Sequence, residues 1–516
     1  MELMRGLRRV LLGSALAASV ACHTVYRARF VAPRDVSADK LGDEPFVKCH
    51  LKNGHVVVLE AWKYDEVDRT LRGYGVEYDE LRVSHSALEA KVVKLDDVLL
   101  VETNRPYEIY ASSGAIATLA IGTGASLAGT VMCAVNTKAC FGSCPTFFAD
   151  DGHGLALQAE GFSGSVARAL EATDVDAMWT VAPSGPTLDV VMTNDALETH
   201  AVASVRLLAA VRPHGGRVLR AGTRYFAATR ATPPTWAHAP SGDATDALRA
   251  SDGVEYQSLA SATDLAERED VDLRFARPAG AKRVGLLVVD RNSLLNTFLF
   301  YQALAFAGSR IGDWMALLER NGKSGFRGIG ALLGDIDVSV RDASGRFARV
   351  GSVGEVGPIA REAELVLLPD EMRGPDVDVR LTMTRGNWRV DQVALVEVGD
   401  EVRPVPLDPV AVEKDGKPDE NARRALLDPN RHLVTFPHDA YTLRFALPLG
   451  DLELFLESRG YYYEWMRDEW LREEDPVAFA QLVLSPAAAL RRLAPMYKRL
   501  EPTMQRVFWQ SRVPRW

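Results

Sequence analysis

The sequence predicts a mainly β protein with helical additions. Short runs that alternate apolar and polar residues, as strands half buried in a sheet do, recur through most of the 516 residues. Glycine, asparagine, aspartate and proline separate these runs, which is typical of antiparallel sandwiches and barrels. A third observation is an internal repeat, because the Leu-Arg-Phe-Ala-Arg-Pro of residues 273–278 returns as Leu-Arg-Phe-Ala-Leu-Pro at 443–448.

Composition excludes two classes of protein. Hydrophobic residues make up 47% and charged residues 25% of the chain, which are ordinary values for globular proteins and exclude global disorder. The net charge of −9 and the pI near 5.7 argue against a nucleic-acid partner, because binding to phosphate backbones needs concentrated lysine and arginine. At this length we expect two or more domains.

Residues 1–21 have the pattern of a secretory signal peptide. Three arginines precede a short uncharged apolar run over residues 10–21, which is too short for a comfortable membrane span. Ser19-Val20-Ala21-Cys22 resembles the lipobox of bacterial lipoproteins, although that family usually has leucine where Ser19 stands. We therefore predict lipidation of Cys22 and a location in the bacterial cell envelope, exposed to the periplasm or the cell surface. An uncleaved signal anchor is the alternative.

The next two segments are a predicted tether and a small β domain. Residues 22–44 lack apolar periodicity, so we interpret them as a tether. Within residues 45–104, alternating runs at 46–51 and 55–62 flank a Lys-Asn-Gly turn. Asn-Gly between two such runs is a strong hairpin signal. The pattern predicts a small antiparallel barrel or sheet with a structural role.

Residues 105–139 form a hydrophobic segment. Its centre, residues 109–137, contains no charge and is long enough to span a bilayer. Small residues recur at every fourth position, at Ala120, Gly124 and Ala128, which is typical of helices that approach each other closely in lipid. We predict a membrane-inserted, self-associating Gly/Ala-rich helix or hairpin. The alternative is a helix packed inside a soluble fold.

Cys140 and Cys144 follow this segment directly. Export places them in an oxidising compartment, so we predict a disulfide between them. A metal site is a weaker interpretation, because Cys-x₃-Cys with His153 nearby lacks the paired ligand spacing of zinc motifs. We predict no bound metal and no cofactor.

The remaining chain is interpreted as two diverged copies of one β-rich module, at residues 140–325 and 331–484, followed by a helical tail at 485–516. Residues 188–193 and 202–208 match 379–384 and 390–396, in the same order as the repeated Leu-Arg-Phe segments. Each copy is predicted to end in an aromatic helix, at 294–306 and at 461–471. We expect Phe275 and Phe445 to lie in the core of their own modules, each on a strand that pairs with the strand following it.

Residues 138–470 resemble an uncharacterised family of bacterial extracytoplasmic, membrane-anchored proteins. The resemblance is carried by a membrane-adjacent Cys-Pro and an Asp-Gly turn within residues 144–152, followed by an Asn-x-x-x-Glu-Thr segment at 194–199. It implies no known activity. Residues 351–397 resemble the jelly-roll shape of many carbohydrate-binding modules, in which Trp388 is a candidate for stacking on a sugar. A core position is the alternative for this tryptophan.

No catalytic motif is present in the sequence. Gly322-Lys323-Ser324 lacks the preceding glycine of a phosphate-binding loop, no nucleophile elbow occurs, and His200, His214 and His238 are predicted to lie on the surface or in loops. We predict a non-catalytic, membrane-anchored envelope protein whose β-sandwich modules bind a glycan or a protein partner, or serve in envelope assembly. The alternative is a glycan-acting hydrolase with a dispersed site of two facing carboxylates.

Overall fold

The structure is a computed structural model that describes residues 24–31, 33–37, 41, 46–53, 55–78, 86–108, 144–196, 198–312, 330, 332–354, 357–369, 374–465 and 473–510. The protein is mainly β, with 49% strand and 18% helix, as the sequence predicts. It divides into two compact units. The first combines Met1–Cys133 with Leu304–Asp313 and Met466–Pro476, and the second contains the rest of the chain.

The first unit is built on a six-stranded antiparallel sheet in the order β1-β6-β2-β3-β4-β5. Its strands are β1 Thr24–Val31, β2 Phe46–Leu51, β3 Val56–Asp65, β4 Thr70–Tyr78, β5 Glu89–Lys94 and β6 Val98–Glu108. The hairpin predicted at the Asn-Gly turn is confirmed, because His50 of β2 pairs with Val56 of β3. The predicted tether at 22–44 is wrong in part: β1 lies within it and pairs along its whole length with β6.

The second unit contains the remaining strands and the helices. The strands that precede its first helix are β7 Thr146–Asp150, β8 Leu155–Glu160, β9 Ala172–Ala177, β10 Thr187–Thr193, β11 Glu198–Val211, β12 Gly216–Ala221, β13 Arg224–Thr232, β14 Trp236–Ala239, β15 Gly242–Asp243, β16 Arg268–Ala276 and β17 Val284–Asn292. Helix α1, Leu295–Ala307, follows and confirms the first predicted aromatic helix.

The second half of this unit repeats the pattern. Its strands are β18 Ile336–Arg341, β19 Phe347–Val353, β20 Glu362–Leu367, β21 Asp376–Thr384, β22 Trp388–Val402, β23 Val405–Leu407, β24 Ala411–Lys414, β25 Lys417–Pro418, β26 Leu433–Thr435, β27 Ala440–Ala446 and β28 Leu452–Glu464. Its helices are α2 Glu420–Leu427, α3 Pro476–Leu484 and α4 Pro486–Gln510. Helix α4 lies in the helical tail predicted at 485–516, whereas α3 lies at the end of the predicted second module. The second predicted aromatic helix is wrong at its start, because Tyr461–Tyr463 belong to β28.

These strands form two sandwiches. Sandwich A consists of an outer sheet, β25-β24-β27-β10-β7-β8, and an inner sheet, β23-β11-β28-β9. Sandwich B consists of an outer sheet, β15-β14-β16-β21-β18-β19, and a closed barrel, β12-β13-β22-β17-β20. Each sandwich has its own hydrophobic core, and a third core joins the inner sheet of A to the barrel of B, with Leu208 and Phe455 on one side and Phe226 and Leu287 on the other.

The strand orders of the two sandwiches correspond position by position. β10, β11, β27 and β28 of sandwich A occupy the places that β21, β22, β16 and β17 occupy in sandwich B. Phe445 lies opposite Leu188, and Phe275 lies opposite Val377 at the equivalent place in B. Both phenylalanines are fully buried in their own cores, as the predicted duplication requires. Their strands do not pair with the strands that follow them, so that part of the prediction is wrong.

A β-bulge marks the same correspondence in the inner strands. Ala203 is the extra residue of β11, and Asp391 is the extra residue of β22. Aligning the two bulges places Gly460 on Asp290, an offset of 170 residues that is also the offset between the two buried phenylalanines. Since bulges change the local twist and register of a strand pair, their shared position is a strong sign of common architecture.

The predicted modules are not the structural ones, because the two copies exchange their halves. β7–β11 of the first copy pair with β23–β28 of the second, whereas β18–β22 of the second pair with β13–β17 of the first. The chain crosses between sandwiches through very short connections. Only Arg403 and Pro404 separate β22, which lies in the barrel, from β23, which pairs with β11. The predicted boundary at 325–331 therefore divides the sequence but not the fold.

No helix in the described parts of the chain is both long and apolar enough to cross a bilayer. The hydrophobic segment at 109–137 lies outside those parts.

The exchange predicts which engineered cysteines form a disulfide. Asp189 and Arg444 face each other across β10 and β27, so Asp189→Cys with Arg444→Cys should oxidise readily at the Cα spacing of a strand pair. The matched control is Asp189→Cys with Arg274→Cys. Its two cysteines would face each other only if each copy folded by itself. Mass spectrometry of a non-reduced digest distinguishes the two. A crosslink in the control and none in the first variant would contradict the exchange.

Candidate functional site

A buried group of six carboxylates and one guanidinium lies where the two sandwiches meet. We call it the acid junction and define it by Glu160 of β8, Asp174 and Asp176 of β9, Arg220 of β12, Asp290 of β17, and Glu362 and Glu364 of β20. Alternation along β9 and β20 places these acids two residues apart on the same side of their strands. In sequence they are typical of solvent-facing positions, and only the stacking of the two sandwiches buries them.

Arg220 is the cation of the acid junction. Its Nη2 lies 2.6 Å from Oε1 of Glu364 and 3.3 Å from Oε1 of Glu362, and Arg220 pairs with Glu364 where β12 closes the barrel onto β20. Burial lowers the pKa of the Arg220 guanidinium, but the carboxylates of Glu362 and Glu364 more than offset that effect and raise it. This guanidinium is therefore permanently charged and can neutralise one carboxylate fully.

Backbone amides of sandwich B hold the acid of β8. Oε2 of Glu160 accepts hydrogen bonds from the N–H of Ile359 at 2.8 Å and of Ala360 at 3.4 Å. Gly357 packs so closely on this carboxyl group that a Cβ atom at position 357 would overlap it. In the reverse direction, the N–H of Ala177 on β9 donates to Oε2 of Glu362 at 3.4 Å. These contacts link the two sandwiches through their acids.

Burial raises the pKa values of the junction acids. It raises the pKa of Glu160 to about 7 and that of Glu362 to about 8, where neighbouring acids add to the effect of burial. Burial also raises the pKa values of Asp176 and Asp290 well above their ordinary range. The next contribution comes from Asp174 for Asp176 and from Glu364 for Asp290, and Glu362 follows in both cases. Burial therefore favours the neutral form of these acids, although Arg220 acts in the opposite direction on Glu362.

Asp290 is the most isolated acid of the junction. Its side chain is fully buried, and neither of its oxygens has a hydrogen-bond partner. It lies directly opposite Glu362 on the neighbouring strand. An ionised carboxylate in such a place would cost several kcal/mol of stability, on the order of the penalty for burying an unpaired charge. Burial without a hydrogen-bond partner therefore favours the neutral form of the Asp290 carboxyl group.

The acid junction does not have the accessibility of a glycosidase site. Two facing acids, such as Asp290 and Glu362, are the groups that a general acid and base would require. However, their exposed fractions are 0% and 2%, so a polysaccharide cannot reach them in this conformation. In the described ranges no group of three or more His, Cys, Asp or Glu side chains is arranged to hold a metal ion.

A second buried polar group lies inside sandwich A. His200 is fully buried on β11, where the prediction of a surface or loop position is wrong, and its Nε2 lies 3.1 Å from Oε1 of the equally buried Glu198. Tyr462 lies opposite His200 and donates to the carbonyl of Ser163 at 3.0 Å. Burial, reinforced by nearby Glu160 and Glu198, raises the pKa of the Cys144 thiol well above its ordinary value. This thiol is therefore a poor nucleophile at neutral pH.

The structure places the predicted site residues as follows. Cys144 is a free, buried thiol, whereas Cys140 lies outside the described residues, so the disulfide stays a prediction. Lipidation of Cys22 stays a prediction for the same reason. Trp388 is 1% exposed in the core of sandwich B, so the predicted stacking on a sugar has no accessible ring face there. His238 is exposed, as predicted.

No protein-family model matches this chain, and no curated protein is significantly similar to it. The resemblance to an uncharacterised extracytoplasmic family therefore stays a prediction.

Gly357→Ala should destabilise the acid junction. The added Cβ would overlap the Glu160 carboxyl group and displace it from the amides of Ile359 and Ala360, a loss of about 1 to 3 kcal/mol. Gly354→Ala is the matched control, since a Cβ atom added at position 354 would have no other atom within 4 Å. Thermal unfolding of the full chain measures both. Equal midpoints for the two variants would show that the contact is unimportant.

The junction also predicts the sign of the pH dependence. Because the folded-state pKa values of Glu160 and Glu362 are raised to about 7 and 8, their contribution to stability is full below the ordinary carboxyl pKa, near 4, and is lost as the pH rises through those values. The pKa of Asp290 is raised in the same direction, so Asp290→Asn should remove part of the stability loss at high pH. The substitution should therefore raise the unfolding midpoint more at pH 8.5 than at pH 5.5.

Asp246→Asn is the control for that experiment, because the Asp246 side chain is fully exposed. Its unfolding midpoint should differ little from that of the wild type at either pH. A wild type that becomes more stable from pH 5.5 to 8.5, with Asp290→Asn following it in parallel, would contradict the assignment.

Proposed function

We propose that this protein is a lipid-anchored component of the bacterial cell envelope that works by binding, without catalysis, through its paired sandwiches. The observation that supports the anchoring is the register of β1 and β6. Thr24, two residues after Cys22, lies opposite Glu108, the residue that precedes the uncharged centre of the hydrophobic segment at 109–137. Both predicted lipid contacts are therefore attached at the same end of one strand pair.

With both contacts in lipid, this register would bring the end of the first sheet to the membrane surface. Two residues span at most about 7 Å, so a lipid on Cys22 would hold Thr24 next to the headgroups. The uncharged stretch that starts at residue 109 would then begin at the same surface. A lipid on Cys22 and a second apolar contact beside it would together anchor the chain more firmly than either contact alone.

The composition of the first unit also supports a topology for the hydrophobic segment. Residues 304–313, which follow the segment in the chain, belong to the same unit as β1, and the 3₁₀-helix Gly308–Arg310 packs against β1. If the segment contacts lipid, the chain before residue 109 and the chain after residue 137 would therefore lie on one side of the bilayer. We infer that the segment enters the membrane and returns on the same side.

The distribution of buried and exposed side chains in the second unit favours a binding role without catalysis. The acids and the histidine at its two buried polar groups are covered, with Asp290, Glu198 and His200 all fully buried, whereas its outer sheets have faces open to solvent. Sandwiches of this kind offer broad sheet faces, and function depends on the residues displayed there.

Membrane fractionation tests the double anchor. Cys22→Ser alone, or replacement of residues 109–137 by a Gly/Ser linker alone, should leave part of the full chain in the membrane after carbonate extraction. The two changes together should release it completely, because each contact contributes separately to the binding free energy. Full release by Cys22→Ser alone would show that the hydrophobic segment does not contact lipid.

A labelling experiment tests the topology. Asp68→Cys and Asp246→Cys, at exposed positions before and after the segment, should both react with an impermeant maleimide added from the same side, in a chain with Cys133 and Cys140 replaced by serine. Labelling of the two positions from opposite sides would contradict a re-entrant segment.

A further inference from the structure

We propose that the outer sheet of sandwich B carries a glycan-binding platform centred on Trp236 and His238 of β14. This inference rests on the proposed binding function and names the class of ligand. Both side chains point outward, because the alternating residues Ala237 and Ala239 are buried in the core of the sandwich. The platform is distinct from the acid junction, to which this sheet contributes no residue.

The rings of Trp236 and His238 stack on each other on the outer face of the sheet. Their planes are 7° apart and their centroids 5.9 Å apart, and Trp236 has an exposed fraction of 47%. Tryptophan side chains are usually largely buried, so a tryptophan with this exposed fraction offers an aromatic surface to a ligand. Sugar rings have an apolar face of C–H groups, which can pack on an exposed aromatic ring.

Charged groups beside the rings can bind hydroxyl groups. Across the strand pair, Trp236 lies opposite Arg274 and His238 lies opposite Asp272. Asp378 fixes Arg274 with contacts of 2.7 and 3.3 Å, and Arg380 fixes Asp272 with contacts of 2.7 and 2.9 Å. A guanidinium has five N–H donors and a carboxylate about four lone pairs, so groups paired in this way retain capacity for a ligand. An aromatic surface with a few fixed polar groups is the usual composition of a small-ligand site.

The corresponding sheet of sandwich A shows that the rings are not needed for the fold. There Arg444 and Asp189 form the same bidentate pair, with two contacts of 2.8 Å. The residues aligned with Trp236 and His238 are Ala411, which lies opposite Arg444, and Glu413. The ion pair is therefore a shared structural feature of both outer sheets, whereas the aromatic rings are specific to sandwich B.

The size of the apolar surface favours a sugar over a protein partner. Trp236 is the single large hydrophobic residue exposed among the described residues of this sheet. A protein interface needs a wider apolar core, with several residues removed from water together. One ring surrounded by Arg and Asp side chains fits one or two sugar units.

Titration of the full chain with soluble oligosaccharides tests the platform. The probes are the tetrasaccharides of β-1,4-linked N-acetylglucosamine, β-1,4-linked glucose and β-1,4-linked mannose, followed by calorimetry and tryptophan fluorescence. The wild type should bind at least one of them. Trp236→Ala, which installs the residue of sandwich A, should weaken that binding at least tenfold, and His238→Ala should weaken it by a smaller factor.

Tyr74→Ala is the matched control, because Tyr74 is 60% exposed on β4 of the first unit. It should leave sugar binding unchanged. The proposal is overturned if no probe binds the wild type, if Trp236→Ala binds as tightly as the wild type, or if Trp236 is needed only for capture of a protein. Membrane fractionation of Trp236→Ala should match the wild type, so failure of this proposal is distinguishable from failure of the anchor.

Discussion

The exchange of halves between the two copies is the constraint on which the second unit depends. Each sandwich closes only when strands from both copies are present, since β10 needs β27 and β21 needs β16. Neither sandwich can form from a continuous stretch of chain. Contacts between residues so far apart in sequence have a high entropic cost of loop closure, so the unit should fold slowly and as one cooperative body.

The exchange also explains the third core and the acid junction. Because the connection through Arg403 and Pro404 is so short, the inner sheet of sandwich A and the barrel of sandwich B must lie close together. Apolar residues such as Phe226 and Phe455 fill most of the space between them. At one edge the strands bring carboxylates together instead. Burial raises the pKa values of Asp290 and Glu362 there, which favours their neutral forms, and Arg220 is the cation among these acids.

The two units divide the work in the function that we propose. The first sheet gathers both predicted lipid contacts at one point, because β1 and β6 run side by side to their ends. The second unit has its reactive side chains buried and its outer sheets exposed. Divergence between the copies is then expected on those exposed faces, and the change from Ala411 and Glu413 to Trp236 and His238 is an example. Core positions change less freely, since their volumes must fit.

The sequence by itself determined the local features of this protein. Period-two alternation predicted the strands, Asn53-Gly54 predicted the first hairpin, and the repeated Leu-Arg-Phe segment revealed the two copies, because each signal lies within a few neighbouring residues. Only the tertiary structure decided which copy each strand pairs with, since both copies offer the same alternating pattern to any partner. For the same reason the sequence could not distinguish Trp388 in the core from Trp236 on the surface, or recognise Asp290 as buried: burial depends on the stacking of whole sheets, and that is set by contacts between residues far apart in the chain.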